Sequence, residues 1–190
     1  MYLIPCAKFY ILNSRYMSGH SHTKTIKHKK EITDQKRGRI FSKLLKAIAV
    51  ASRLEPNPQF NPRLRTAVEK ARENNVPQEN IKRAIEHASK DKNLEELIIG
   101  AYGPEGIALL IEAVTDNKNR TIPEIKNIIN EHNAKFTEPE SILWAFENSD
   151  GQWQAKFKQS ISEEGKNKLN ELVQVLENQE DVQKIATNSD

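Results

Sequence analysis

Cysteine is almost missing from this 190-residue chain: Cys6 is its one thiol. A lone cysteine excludes an intrachain disulfide framework and points to a reducing compartment. No motif surrounds Cys6, so it reads as an incidental thiol. Glycine is also scarce, at 7 residues. No Rossmann glycine fingerprint, Walker loop, nucleophile elbow or HExxH occurs. His20, His22 and His28 match no closed zinc set and have no accompanying cysteine. The carboxylates of the second half, Glu112 and Asp116 among them, are scattered and form no acid/base pair. The chain therefore reads as a non-enzyme with no catalytic residue, cofactor or metal. No apolar run approaches the ~20 residues of a membrane helix, so no membrane partner is expected.

The charge is divided unevenly. Residues 17–90 hold 17 Lys and Arg against 7 Asp and Glu, whereas residues 91–190 hold 10 against 19. The formal net charge of +3 hides a basic half joined to an acidic half. The basic half points to a polyanion, which the acidic half would repel.

Residues 1–16 carry two basic residues and no acid. They read as a poorly ordered extension rather than a presequence, with Met17 opening a segment of different character. Residues 24–36 read as a weakly amphipathic basic helix, or an arm that folds on its partner, interrupted by Gly38. Ile40, Phe41, Leu44, Leu45 and Ile48 then recur at helical spacing. Asn61-Pro62 reads as an N-cap and first helical residue, with Leu64, Ala67, Val68 and Ala71 inward. Asn74-Asn75 closes that helix, and Pro77 opens another bearing Ile81, Ala84 and Ile85. Residues 17–92 thus form a basic all-helical domain, and residues 91–95 a polar hinge.

From residue 93 the apolar period turns extended. Leu97-Ile98-Ile99 and Ile107–Ile111 read as a hairpin around Tyr102–Gly106. Thr121-Ile122-Pro123-Glu124 has a capping-box pattern. Ile142–Phe146 and the alternating stretch Trp153–Ile161 read as strands. Ser162 can cap a helix bearing Leu169, Leu172, Val173 and Leu176, and Val182–Thr187 closes as a strand. The order from Ile107 is β-α-β-β-α-β. The fold class expected is therefore α+β: a basic helical domain, then a ferredoxin-like split βαβ domain (93–190) with an antiparallel sheet.

Nine Lys/Arg lie between His20 and Lys46, several of them three or four apart, so on a helix they share a face. Their mutual repulsion would be relieved by a phosphate chain. The candidate contacts are Lys24, Lys27, His28, Lys29, Lys30, Lys36, Arg37, Arg39 and Lys43. Arg63 and Arg65 open a helix, where the dipole disfavours cations; they face phosphate or pair with Glu69. A second candidate is the loop before the 122–129 helix stripe, where Asn117, Asn119 and Arg120 add side-chain donors to free backbone N–H groups. Its alternative is a polar turn capped by Thr121.

Several segments resemble the YebC/PmpR family of proposed transcriptional regulators. They are Met17–Ser21, Ile26–Lys30, Asp34–Leu44, Asn61–Ala67, Tyr102–Pro104, Thr115–Thr121 and Asp181–Gln183. The resemblance spans residues 17–190 in order. It implies a cytoplasmic DNA-binding regulator of transcription. Some members, including the mitochondrial translational activator of cytochrome c oxidase, are linked to ribosomes, so ribosomal RNA is the alternative partner. A protein-interaction module is a third reading. Two features depart from the family. His22-Thr23 stands where relatives have Lys-Trp, and Phe146–Trp153 runs straight on where relatives carry an inserted third domain.

Overall fold

The computed structural model describes residues 20–88, 94–149 and 151–190, with side chains from residue 34 onward. The expected extension 1–16 and most of the 91–95 hinge lie outside the described residues. The chain divides into two compact units, residues 1–36 and residues 37–190. Within the first, residues 20–36 are helical.

Helix α1 spans His20–Ala51. Gly38 lies inside it and does not interrupt it, because no neighbour demands a special conformation there. Within the second unit, Ile48 and Ala51 of α1 pack with α2 (Pro62–Glu73) and α3 (Gln78–His87). Their core is Leu64, Val68, Ala71, Val76 and Ile81, all buried. Asn61 caps α2 as expected: its side chain accepts the Leu64 N–H at 3.0 Å. The same side chain donates to the carbonyls of Ala51 and Glu55, which ties the end of α1 to the start of α2.

Strands β1 (Glu95–Tyr102) and β2 (Ala108–Thr115) form the expected antiparallel hairpin, with Ile99 opposite Ile111. After β2 come α4 (Lys118–Glu131), β3 (Lys135–Thr137), a hairpin of β4 (Phe146–Ser149) and β5 (Gln152–Ala155), α5 (Glu163–Asn178) and β6 (Val182–Thr187). The main sheet runs β3-β1-β2-β6, antiparallel throughout. The fold class is α+β, as read from the sequence, but the strand assignment differs. The sheet's inner position beside β2 belongs to β1, not to a strand from 142–161. Ile142 and Leu143–Ala145 turn as 3-10 structure, and the expected 153–161 strand ends at Ala155. The short β3 was missed altogether.

Burial explains the difference. One face of β1 and β2 (Ile99, Ala101, Leu109, Ile111, Ala113) packs on α4 and α5 through Ile125, Ile129, Leu169, Leu172 and Leu176. The other face of β2 (Ala108, Leu110) packs under Ile142, Ala145 and Phe146. The β4–β5 hairpin and the turn before it are therefore a cover, not sheet members. The continuous run Ile107–Ile111 is what a strand buried on both faces requires. Helix α4 starts three residues before the expected capping box, so Thr121 lies inside it rather than at its cap. Ser162 caps α5 as expected, its hydroxyl accepting the Gly165 N–H at 3.0 Å.

Gly100 sits where β1 meets the chain leaving β3. An added Cβ would lie 3.0 Å from the carbonyl oxygens of Thr137 and Glu138. Both are backbone atoms and cannot swing away. Gly100→Ala is expected to destabilise the protein by about 1–3 kcal/mol, read as a lower urea midpoint at unchanged slope.

Candidate nucleic-acid interface

Lys24, Lys27, His28, Lys29 and Lys30 are positions of α1 whose side chains lie outside the described residues, as do those of His20 and His22. Lys36, Arg37 and Arg39 are exposed. The Arg37 guanidinium lies 5.1 Å from the Phe41 ring centroid, a cation–π contact. Among the described residues, none of these three cations meets a carboxylate.

The next turns of α1 differ. Ser42 donates to Glu180 Oε1 at 3.0 Å, and the Lys43 ammonium donates to the Glu177 carbonyl. Burial lowers the pKa of Lys43, while Glu177 and Asp181 pull it the other way. Lys46 Nζ sits 2.6 Å from Asp181 Oδ1. These cations face the acidic corner between α5 and β6.

Arg63 bonds Glu96 at 2.9 Å rather than Glu69, with both side chains at least half exposed. Arg65 is exposed, and among the described residues it meets no carboxylate. Asn117 occupies the N-cap position of α4, but its side chain makes no cap bond. Asn119 is exposed. Arg120 is exposed but engaged by carboxylates of its own chain. Its guanidinium bonds Asp181 Oδ2 at 2.9 Å and Asp116 at 3.3 Å. Bonding and charge from Asp181 raise its pKa.

Asp181 is the residue that sequence reasoning missed. Its side chain is 1% exposed and receives Lys46, Arg120 and the Thr121 hydroxyl, the last at 2.6 Å. With its single proton directed to Asp181, the Thr121 oxygen also hydrogen-bonds Thr115 Oγ1 at 2.8 Å, extending the network to the end of β2. The carbonyl of Asp181 accepts the Val114 N–H at 2.8 Å. Burial pushes its carboxyl pKa up, but the bonds from Lys46, Thr121 and Arg120 outweigh burial and hold it at about 2. Two signals were available: the charged Asp181 stands immediately before the apolar start of β6, and Asp181–Gln183 is among the segments that carry the family resemblance.

A cleft of about 600 Å³ lies on the α/β region, between the end of α4 and the start of α5. Glu105, Glu131, Glu164 and Glu171 line it beside His132 and Lys168. Its predominant charge is that of a phosphate chain, so it does not extend a polyanion site. Among the described residues, no three metal-ligating side chains converge, and no helix is long and apolar enough to cross a membrane.

The Asp181 carboxylate binds its proton more weakly when folded than the ordinary 3.8. The stability it confers is complete above about pH 4 and disappears as pH falls through 2, a contribution of about 2 kcal/mol. Asp181→Asn should lower stability at pH 7 by about 2–3 kcal/mol, because two cations lose their anion. The gap between wild type and variant should close across that acid window, as measured by urea denaturation at stepped pH.

The family model described as "TACO1/YebC protein N-terminal domain" matches residues 21–91. That for the "TACO1/YebC second and third domain" matches residues 94–152. A "Probable transcriptional regulatory protein" of Chloroherpeton thalassium is 47% identical over 135 residues, covering 69% of this chain and 54% of the relative. One from Aquifex aeolicus is 45% identical, again covering 69% and 54%. The chain thus spans about half the length of the curated relatives it matches. Among solved structures, the conserved hypothetical protein Aq1575 of Aquifex aeolicus superimposes with a TM-score of 0.74 at 29% identity, covering 83% of this chain and 91% of that one. With both family models matching in order, and together spanning well over half the chain, it belongs to the TACO1/YebC family.

Proposed function

We propose that this chain is a non-enzymatic, cytoplasmic regulator of gene expression that works by holding nucleic acid. The basic segment of α1 carries the binding, and DNA is the first expected partner. The observation that carries the reading is the contrast among its cations. Lys43, Arg63 and Arg120 are engaged by the protein's own oxygens, whereas Lys36, Arg37, Arg39 and Arg65 are exposed and meet no carboxylate among the described residues. Cations left exposed without an internal anion release counterions when a phosphate chain arrives. The names carried by relatives, probable transcriptional regulatory proteins, support the same reading.

The proposed division of labour follows the charge. Residues 17–92 supply the cations that grip phosphates, and residues 93–190 supply a scaffold of net negative charge with the loop at Asn117. Arg120 belongs to that scaffold, because its charge is taken up by Asp181. Asn117 and Asn119 remain available as neutral donors beside it. Ribosomal RNA is the second reading, since A-form helices are bound through shape and backbone and need no base-reading side chains.

If six phosphates are neutralised, log K on duplex DNA should fall with log salt at a slope of about −5. Charge reversal at Lys29, Lys30, Arg37 and Arg39 should abolish binding with an unchanged far-UV circular dichroism spectrum. Retained affinity would contradict the proposal. In-cell crosslinking with sequencing separates the partners: reads piled on ribosomal RNA would remove the promoter reading.

A further inference from the structure

Resting on the nucleic-acid reading above, we infer that Trp144 and Phe157 form a stacking platform for the bases of a single-stranded nucleic acid, at the base of the β4–β5 hairpin. Both side chains are more than half exposed, at 56% and 52%. Their ring centroids are 6.1 Å apart and their planes 33° apart. The surrounding chain holds them in place. The Trp144 indole N–H donates to the Ser141 carbonyl at 3.0 Å, and Tyr102 Oη donates to the same oxygen at 2.8 Å. The Lys156 N–H donates to the Ala145 carbonyl at 2.8 Å, which sets Phe157 beside Trp144. The indole's polar edge is therefore satisfied internally, and the exposed part of the pair is aromatic surface.

Charge selects the occupant. In the α/β region Lys118, Arg120, Lys166, Lys168 and Lys184 pair with carboxylates. Lys156 and Lys158 are exposed and flank Phe157 in sequence, and among the described residues neither meets a carboxylate. Lys156 Nζ lies 5.4 Å from the Phe157 ring centroid. Aromatic rings beside uncommitted cations are the elements with which proteins bind single strands without reading sequence. Two rings suit one or two bases, whereas a stable protein interface buries about 800 Å² per partner. Stacking addresses the base and not the ribose, so RNA and DNA strands should bind alike.

The test measures fluorescence anisotropy of labelled 12-nucleotide oligo(rU), oligo(dT), an abasic 12-mer and a 12-base-pair duplex against the full chain. Trp144→Ala with Phe157→Ala should weaken both base-bearing single strands by about 10- to 100-fold and leave the duplex and the abasic strand unchanged. An unchanged single-strand affinity, or an equal loss on all four probes, overturns the platform. A second measurement does not depend on that double variant folding. In Trp153→Phe, Trp144 is the one remaining tryptophan. Its fluorescence should be quenched by oligo(rU) and not by the abasic strand, and absence of that quench also overturns the proposal. Duplex binding retained without the quench removes the platform alone; binding of no probe removes the nucleic-acid reading with it. A concentration-dependent dimer lost in the double variant, without quenching by any oligonucleotide, would make the pair a self-association surface and overturn the proposal.

Discussion

A carboxylate taken out of water costs several kcal/mol unless cations and donors replace the lost hydration. Asp181 meets that demand with Lys46 from α1, and with Arg120 and Thr121 from α4. Its backbone simultaneously joins β2 and the corner entering β6. Elements far apart in sequence thus converge on one buried side chain. Each is constrained in position, because a shift of about an ångström at any of them would leave a charge desolvated and unpaired. Residues 37–51 meet the corner between α5 and β6 through Ser42, Lys43 and Lys46, while the helical core and the sheet core are separate apolar clusters.

The same contact redistributes the charge of the molecule. An acidic region next to cationic helices will neutralise whichever cations it reaches. Glu96 and Asp181 pair with Arg63 and Lys46 in this way, while the Glu177 backbone carbonyl accepts from Lys43 and the Glu180 carboxylate from Ser42. Exposed cations that meet no carboxylate among the described residues include Lys36, Arg37, Arg39 and Arg65, and in the α/β region Lys156 and Lys158. Long-range charge asymmetry is therefore a poor guide to which cations stay without an internal carboxylate.

Local chemistry was legible wherever a residue acts on its immediate neighbours. Asn61 and Ser162 cap α2 and α5, because capping needs only a side-chain oxygen and an N–H three residues on. The Leu97–Ile111 hairpin was legible because its turn is local and its two apolar runs are short and bounded by that turn. The strand reading of Ile142–Phe146 failed because an apolar run states that a segment is buried without stating in what conformation. Here the run turns as a 3-10 cover over Ala108 and Leu110. Lys135–Thr137 was passed over because three residues carry no period.

By itself, the sequence determined the α+β class, the caps of α2 and α5, the apolar faces of the helices and the concentration of cations toward the amino-terminal half. These follow from spacing, capping and composition, which act over a few residues. Tertiary structure alone decided that β3 joins β1 at the sheet edge, that Arg120 bonds Asp181, and which cations meet a carboxylate. Those outcomes depend on pairing between residues some 30 to 140 positions apart. Such pairing is settled only when the whole set of buried charges and apolar faces is satisfied at once.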